Sequence, residues 1–178
     1  MTWLITEAQI VAAMNGSVTD IDVNGLTVNP SNGDLYWTLT ASADVNGMPI
    51  GDGGVIRLRG IHYVANSDGT VASVTPGAAE IVLSESDVDG YFLAAAGTPV
   101  NELDGLALDP AGGSFTSLGT GKTMPNLWMT ADNAAVGPAI VTTAGGGAYA
   151  SHGGITFNSG PAFGLGNVAY DGGPVSTL

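Results

Sequence analysis

DVNGLTVNPSNGDLYWTLTAS, residues 22–42, is the stretch on which the fold turns. Leu26 and Val28 face one way, Thr27 and Asn29 the other. Leu35, Trp37 and Leu39 then alternate with Tyr36, Thr38 and Thr40. Alternation of period two is the pattern of β-strands. Between the two runs, Asn29-Pro30-Ser31-Asn32-Gly33-Asp34 is a turn with a mechanism: Pro presets φ, and Asn and Gly tolerate φ above zero.

The same punctuation continues outward. The chain has 28 Gly among 178 residues, and they cluster at 51–54, 112–113, 145–147, 153–154 and 172–173, between short alternating runs. Strands joined by turns are therefore expected throughout. Two segments read as short helices: residues 6–14 with Thr6 as N-cap, and residues 87–96 with Ser86 in that role.

Residues 4–30, LITEAQIVAAMNGSVTDIDVNGLTVNP, can be laid on residues 82–110, VLSESDVDGYFLAAAGTPVNELDGLALDP. Both read as an apolar pair, Ser/Thr-Glu, a helical turn, a Gly-containing linker and an acidic stretch. Both then end in Asn/Asp-Gly-Leu-x-Val/Leu-x-Pro. A third, weaker copy runs over 139–158, with Ser151-His152-Gly153-Gly154 in place of the Asp-Gly element. A recurring sheet unit that does not close by itself is how propellers and β-solenoids are built. The expectation is all-β: propeller-like repeated antiparallel sheet units, an incomplete propeller or a Gly-rich sheet stack. They would form one domain with units near 1–60, 61–130 and 131–178.

Composition excludes several classes. Arg57, Arg59 and Lys122 stand against 16 acidic residues, a net charge of −13. Phosphate contacts need Lys and Arg, so DNA, RNA and anionic lipid are excluded as partners. No cysteine is present, which removes disulfides and thiolate chemistry. The longest apolar runs, 10–14 and 91–96, are too short to span a bilayer. The first residues carry Glu7 among the apolar positions and no basic leader, so they do not read as a secretion signal. Scarce Lys, abundant Gly, Ser and Thr, and the Asn15-Gly16-Ser17 sequon point to an extracellular, cell or virion surface.

The ordered motifs DVNGLTVNPSNGDLYWTLTAS, GGVIRLRG and YFLAAAGTPVNELDGLALDPAGG resemble the propeller region of secreted, calcium-dependent alkaline phosphatases of the PhoX type. The DGLALDP step also resembles the blade motif of gluconolactonase-like calcium propellers. The resemblance covers about residues 20–115. It implies a carboxylate near a central metal at Asp104 and an amide ligand at Asn24, where the PhoX-type pattern has a glutamate. It implies a metal-dependent phosphoester hydrolase, or more remotely a lactone or ester hydrolase. The chain is shorter than a full propeller of either family and lacks the bases expected around a phosphate dianion.

Hard cations take oxygen ligands, and calcium is the ion this chain would hold. The candidate ligands are Asn24, Asp104, Glu102 and Asp22; Asp20, and Asp52 beside Gly53-Gly54, are further acidic positions. No EF-hand spacing occurs. His62 and His152 are too far apart in sequence for a helical zinc pair, and a structural His152 outweighs a base. Ser84, Ser86, Ser151 and Ser159 show no nucleophile elbow, so no catalytic residue is assigned. Residues 119–122, GTGK, lack full phosphate-loop spacing and read as a turn. Trp3, Trp37, Trp128, Tyr36, Phe92 and Phe115 read as packing residues. Open sheet edges need cover. The function expected is a non-catalytic structural or binding module that self-associates into a homo-oligomer or larger assembly.

Overall fold

The structure, a computed structural model, describes residues 5–17, 19, 21–96, 102–133, 137–144, 149–151 and 154–156. The chain opens with helix α1 (Glu7–Met14), set by a capping box: the Thr6 hydroxyl accepts from the Gln9 amide, and the Gln9 side chain accepts from the Thr6 amide. Strands β1 (Val23–Val28) and β2 (Leu35–Leu39) follow, then a hairpin of β3 (Ala43–Val45) and β4 (Met48–Ile50). Asn46 and Gly47 turn that hairpin with φ of 54° and 76°, the geometry that Asn-Gly favours. Next come β5 (Val55–Leu58), a second hairpin of β6 (His62–Ala65) and β7 (Val71–Thr75), and β8 (Ala79–Leu83).

Helix α2 (Glu85–Ala96) starts two residues earlier than expected. Its cap is Ser84, not Ser86: the Asp87 amide donates to the Ser84 hydroxyl at 3.2 Å, and Asp87 Oδ2 accepts from the Ser84 amide at 3.1 Å. Beyond it lie β9 (Gly105–Leu108), a hairpin of β10 (Ser114–Thr116) and β11 (Thr123–Pro125), β12 (Leu127–Asn133) and β13 (Gly137–Thr142). A last hairpin pairs β14 (Tyr149–Ser151) with β15 (Gly154–Thr156).

The protein is all-β with two short helices, and every strand pair is antiparallel. One sheet has the order β1-β2-β5-β8, the other β13-β12-β9. The first sheet runs past residue 60 to Leu83, so it straddles the first expected unit boundary. Among the described residues no sheet closes on itself and no propeller is seen.

The first two sequence copies are copies in structure. The Thr6/Gln9 box is matched by Ser84/Asp87. Leu26 pairs with Trp37 and Val28 with Leu35; Leu106 pairs with Met129 and Leu108 with Leu127. Asn29 Oδ1 accepts from the Ser31 amide at 3.0 Å, and Asp109 Oδ1 from the Ala111 amide at 2.8 Å. In both, the acceptor side chain holds the turn before Pro can break the strand. The copies differ by the β10–β11 hairpin, inserted where the Asn126 amide meets the Gly113 carbonyl at 3.2 Å. Of the third copy, backbone positions in β13, β14 and β15 are described; His152 lies outside the described residues, as do Ser159, Asp20 and Trp3.

The central strands β2 and β5 of sheet one are covered on both faces, which is why every residue of each is buried. Leu35, Trp37, Leu39, Ile56 and Leu58 pack under α1 and the β3–β4 hairpin, with Met14, Val45 and Ile50. On the opposite face Tyr36, Val55 and Val82 meet α2 and sheet two through Val88, Phe92, Leu106 and Met129. Each such side chain contributes about 1.5–3 kcal/mol on burial.

Candidate functional site

The two units meet where β1 lies against β9. A Cβ on Gly25 would stand 3.0 Å from the Leu106 amide nitrogen, a tight contact that glycine avoids. The Gly25 amide donates to Thr38 Oγ1 at 2.8 Å, and that hydroxyl reaches the Leu103 carbonyl at 3.4 Å. Asn24 Nδ2 donates to Glu102 Oε1 at 2.7 Å and to the Leu103 carbonyl at 2.9 Å.

The structure thus brings two of the four expected ligands together, Asn24 and Glu102, joining one unit to the next. The amide nitrogen of Asn24, a donor, is what faces the carboxylate. Asp104 is exposed at the start of β9, with its amide on the Thr130 carbonyl at 2.9 Å. Asp22 is exposed beside a hollow of about 190 Å³ lined by Ile21, Leu39, Thr40 and Ala43. Among the described residues no group of three or more His, Asp and Glu is placed to hold a metal.

The strongest electrostatic feature lies elsewhere. All three basic side chains of the chain converge on Glu80. Arg57 Nη2 and Arg59 Nε each lie 2.7 Å from Oε1, and Lys122 Nζ lies 2.9 Å from Oε2. Arg57 also donates through Nε to Oε1 at 3.0 Å and through Nη1 to the Thr123 carbonyl at 3.2 Å. The cluster ties β5 and β8 to the β10–β11 hairpin. Burial alone would raise the Glu80 carboxyl; Lys122 and Arg57 outweigh it and hold it below the usual carboxylate range. Burial alone would lower Arg57, but Glu80 and Tyr36 together leave it raised. The Tyr36 hydroxyl is buried without a partner at hydrogen-bond geometry, and burial, against the pull of Arg57, pushes its pKa up.

Asp87 is a second anchor. Its carboxylate accepts from the Ser84 amide, the Ser84 hydroxyl at 2.8 Å, the Ser117 hydroxyl at 2.7 Å and the Gly119 amide at 2.9 Å. Burial would raise it; these donors, Ser117 foremost, hold it below its ordinary value. The GTGK segment is the turn expected, and the anion its Gly119 amide holds is the protein's own Asp87. Glu85 behaves oppositely: burial, then Asp52 and Asp89, raise its pKa.

Sequence reasoning missed Glu80 and Asp87. A partial signal for Glu80 was present: Arg57 and Arg59 are spaced by period two, and Glu80 sits in the last strand-like run before the second copy. Comparison with known protein families, with curated proteins and with solved structures finds no match.

Proposed function

We propose that this chain is a non-catalytic structural or binding module of an extracellular surface that self-associates through unclosed sheet units. The observation that supports the reading is the antiparallel order β1-β2-β5-β8, followed by the unclosed sheet β13-β12-β9 with β9 against β1. Repeat units stack because one unit cannot bury both of its faces alone. Calcium belongs to this reading only through the chain's 16 acidic residues, because Asn24 turns its donor nitrogen, not its oxygen, to Glu102. No observation on the described residues favours the phosphoester hydrolase, or the lactone and ester hydrolases.

Light scattering at micromolar concentration, with calcium or with a chelator at matched ionic strength, tests it. The expected result is a species heavier than the 17.7 kDa chain. A monomer under both conditions would sink the reading. Equal melting curves in millimolar calcium and in matched sodium would remove calcium from it.

A further inference from the structure

Asn-Gly occurs four times in the chain, at 15–16, 24–25, 32–33 and 46–47. In this dipeptide the glycine nitrogen, unhindered by a side chain, can attack the amide carbon of the Asn side chain. The fold ties down three of the four pairs. Asn24 donates to Glu102 and to the Leu103 carbonyl, and the Gly25 amide is held by the Thr38 hydroxyl. Asn32 accepts from the Asp34 amide and donates to its carboxylate, both at 3.0 Å, while the Gly33 amide donates to the Asn29 carbonyl at 2.8 Å. Asn46 donates to the Ala79 carbonyl at 2.9 Å, and the Gly47 amide donates to the Asp44 carboxylate. In these three pairs both reacting groups are engaged. Asn15 stands apart. It is exposed at the C-cap of α1, and among the described residues its side chain makes one hydrogen bond, to Asn46 Oδ1 at 3.4 Å. Attack by Gly16 needs Asn15 to leave its left-handed conformation, φ 48° and ψ 40°. An L residue holds that conformation at a cost, and helix ends open more readily than strands in a core.

We propose that Asn15 is a site of spontaneous, selective deamidation, which loosens the seam between α1 and the β3–β4 hairpin as the protein ages. The Gly16 nitrogen bonds to Asn15 Cγ and gives up its proton, and the side-chain nitrogen leaves as ammonia. Water then opens the five-membered imide at either carbonyl. One opening gives aspartate; the other gives isoaspartate, with the backbone rerouted through Cβ. Both products put a carboxylate where Nδ2 donated to Asn46, so an acceptor then faces an acceptor. Both also add a negative charge to a chain already at −13. The seam is close-fitting there. The Asn46 amide meets the Met14 carbonyl at 2.8 Å, and a Cβ on Gly16 would stand 2.2 Å from the Asp44 carbonyl oxygen. Isoaspartate lengthens the backbone beside that contact.

The test is incubation of the full wild-type chain at neutral pH, folded and in guanidinium, with each Asn-Gly pair followed by peptide mass spectrometry. Electron-transfer fragmentation assigns the converted residue and separates aspartate from isoaspartate. In the folded chain Asn15 is expected to convert at least about tenfold faster than Asn24, Asn32 or Asn46, the ratio that a modest difference in local opening produces. In guanidinium that preference is expected to vanish. Asn15→Asp, which carries one product from the start, is expected to lower the urea midpoint below that of wild type and of Asn15→Gln. Conversion of Asn15 no faster than the other three in the folded chain overturns the site. The same preference for Asn15 in guanidinium also overturns it, because local sequence and not the fold would then be the cause. Equal urea midpoints for Asn15→Asp and wild type, with no loss of midpoint in the isoaspartate fraction, overturn the loosening of the seam.

Discussion

Replacing Glu80 by Gln keeps the shape of the side chain and removes the one carboxylate that all three basic side chains share. Arg57 decides the size of the effect. Its side chain is 5% exposed, against 60% for Arg59 and 46% for Lys122. Exposed ion pairs contribute about 0–1 kcal/mol, so the two outer cations change little. Stranding a buried charge costs about 3–5 kcal/mol when both ions are fully desolvated. Glu80 keeps 20% exposure, and the Gln carbonyl can still accept one Arg57 hydrogen bond, which discounts the cost to roughly 2–3 kcal/mol. In a chain of this length that lowers Tm by roughly 4–12 °C. Removing one negative charge relieves self-repulsion, so the loss cannot come from net charge. Urea unfolding followed by tryptophan fluorescence, with Trp37 in the core, reads it directly. Arg59→Gln is the control and should cost under about 1 kcal/mol. Equal urea midpoints for Glu80→Gln and Arg59→Gln would refute the reasoning, as would full recovery of Glu80→Gln by a change in ionic strength.

Two further perturbations act on contacts away from Glu80, one between the units and one within the second. Gly25→Ala sets a Cβ about 3 Å from Leu106 and Gly105, so β1 and β9 must part by a few tenths of an ångström, and should cost about 1–3 kcal/mol in urea unfolding; a wild-type midpoint would mean the units do not meet this closely there. Asp87→Asn should cost about 1–2 kcal/mol and blunt the acid limb of a stability–pH profile. Asp87 and Glu80 have depressed folded-state pKa values, so their stabilisation is present above the ordinary carboxylate range and lost as pH falls through the folded values. An acid limb unchanged by Asp87→Asn would assign that limb to other groups.

Much of the frame was legible because the repeat is written in residues with fixed backbone consequences. Asn29 and Asp109, each before Pro, set the same side-chain turn, and the Gly-Leu pairs at 25–26 and 105–106 set the same register. The inserted hairpins were less legible. Their strands are three to five residues long, too short for periodicity to speak, although Asn46-Gly47 is a strong local signal. The start of α2 differs from expectation because Ser84 and Ser86 are equivalent as caps in sequence, and only the reciprocal bonds with Asp87 separate them. Leu26 and Val28 alternate as a buried face should, yet burial depends on what lies opposite, which alternation does not encode. For the site, the repeat marks the strand ends that bring Asn24 and Glu102 together. The residue types could not reveal that the Asn24 amide would present its nitrogen.

The convergence on Glu80 also decides how the folded chain meets reagents that act on basic side chains. Trypsin cleaves after Lys and Arg, and here every such bond follows a side chain held in one cluster. The protease must therefore open that cluster before it can cut at Arg57, while the more exposed Arg59 and Lys122 are restrained by the same carboxylate. Amine-directed labels find a single lysine, and its nucleophilic nitrogen is engaged in the same place. A tryptic nick or a lysine label thus reports on one junction of the molecule, where β5, β8 and the β10–β11 hairpin are tied.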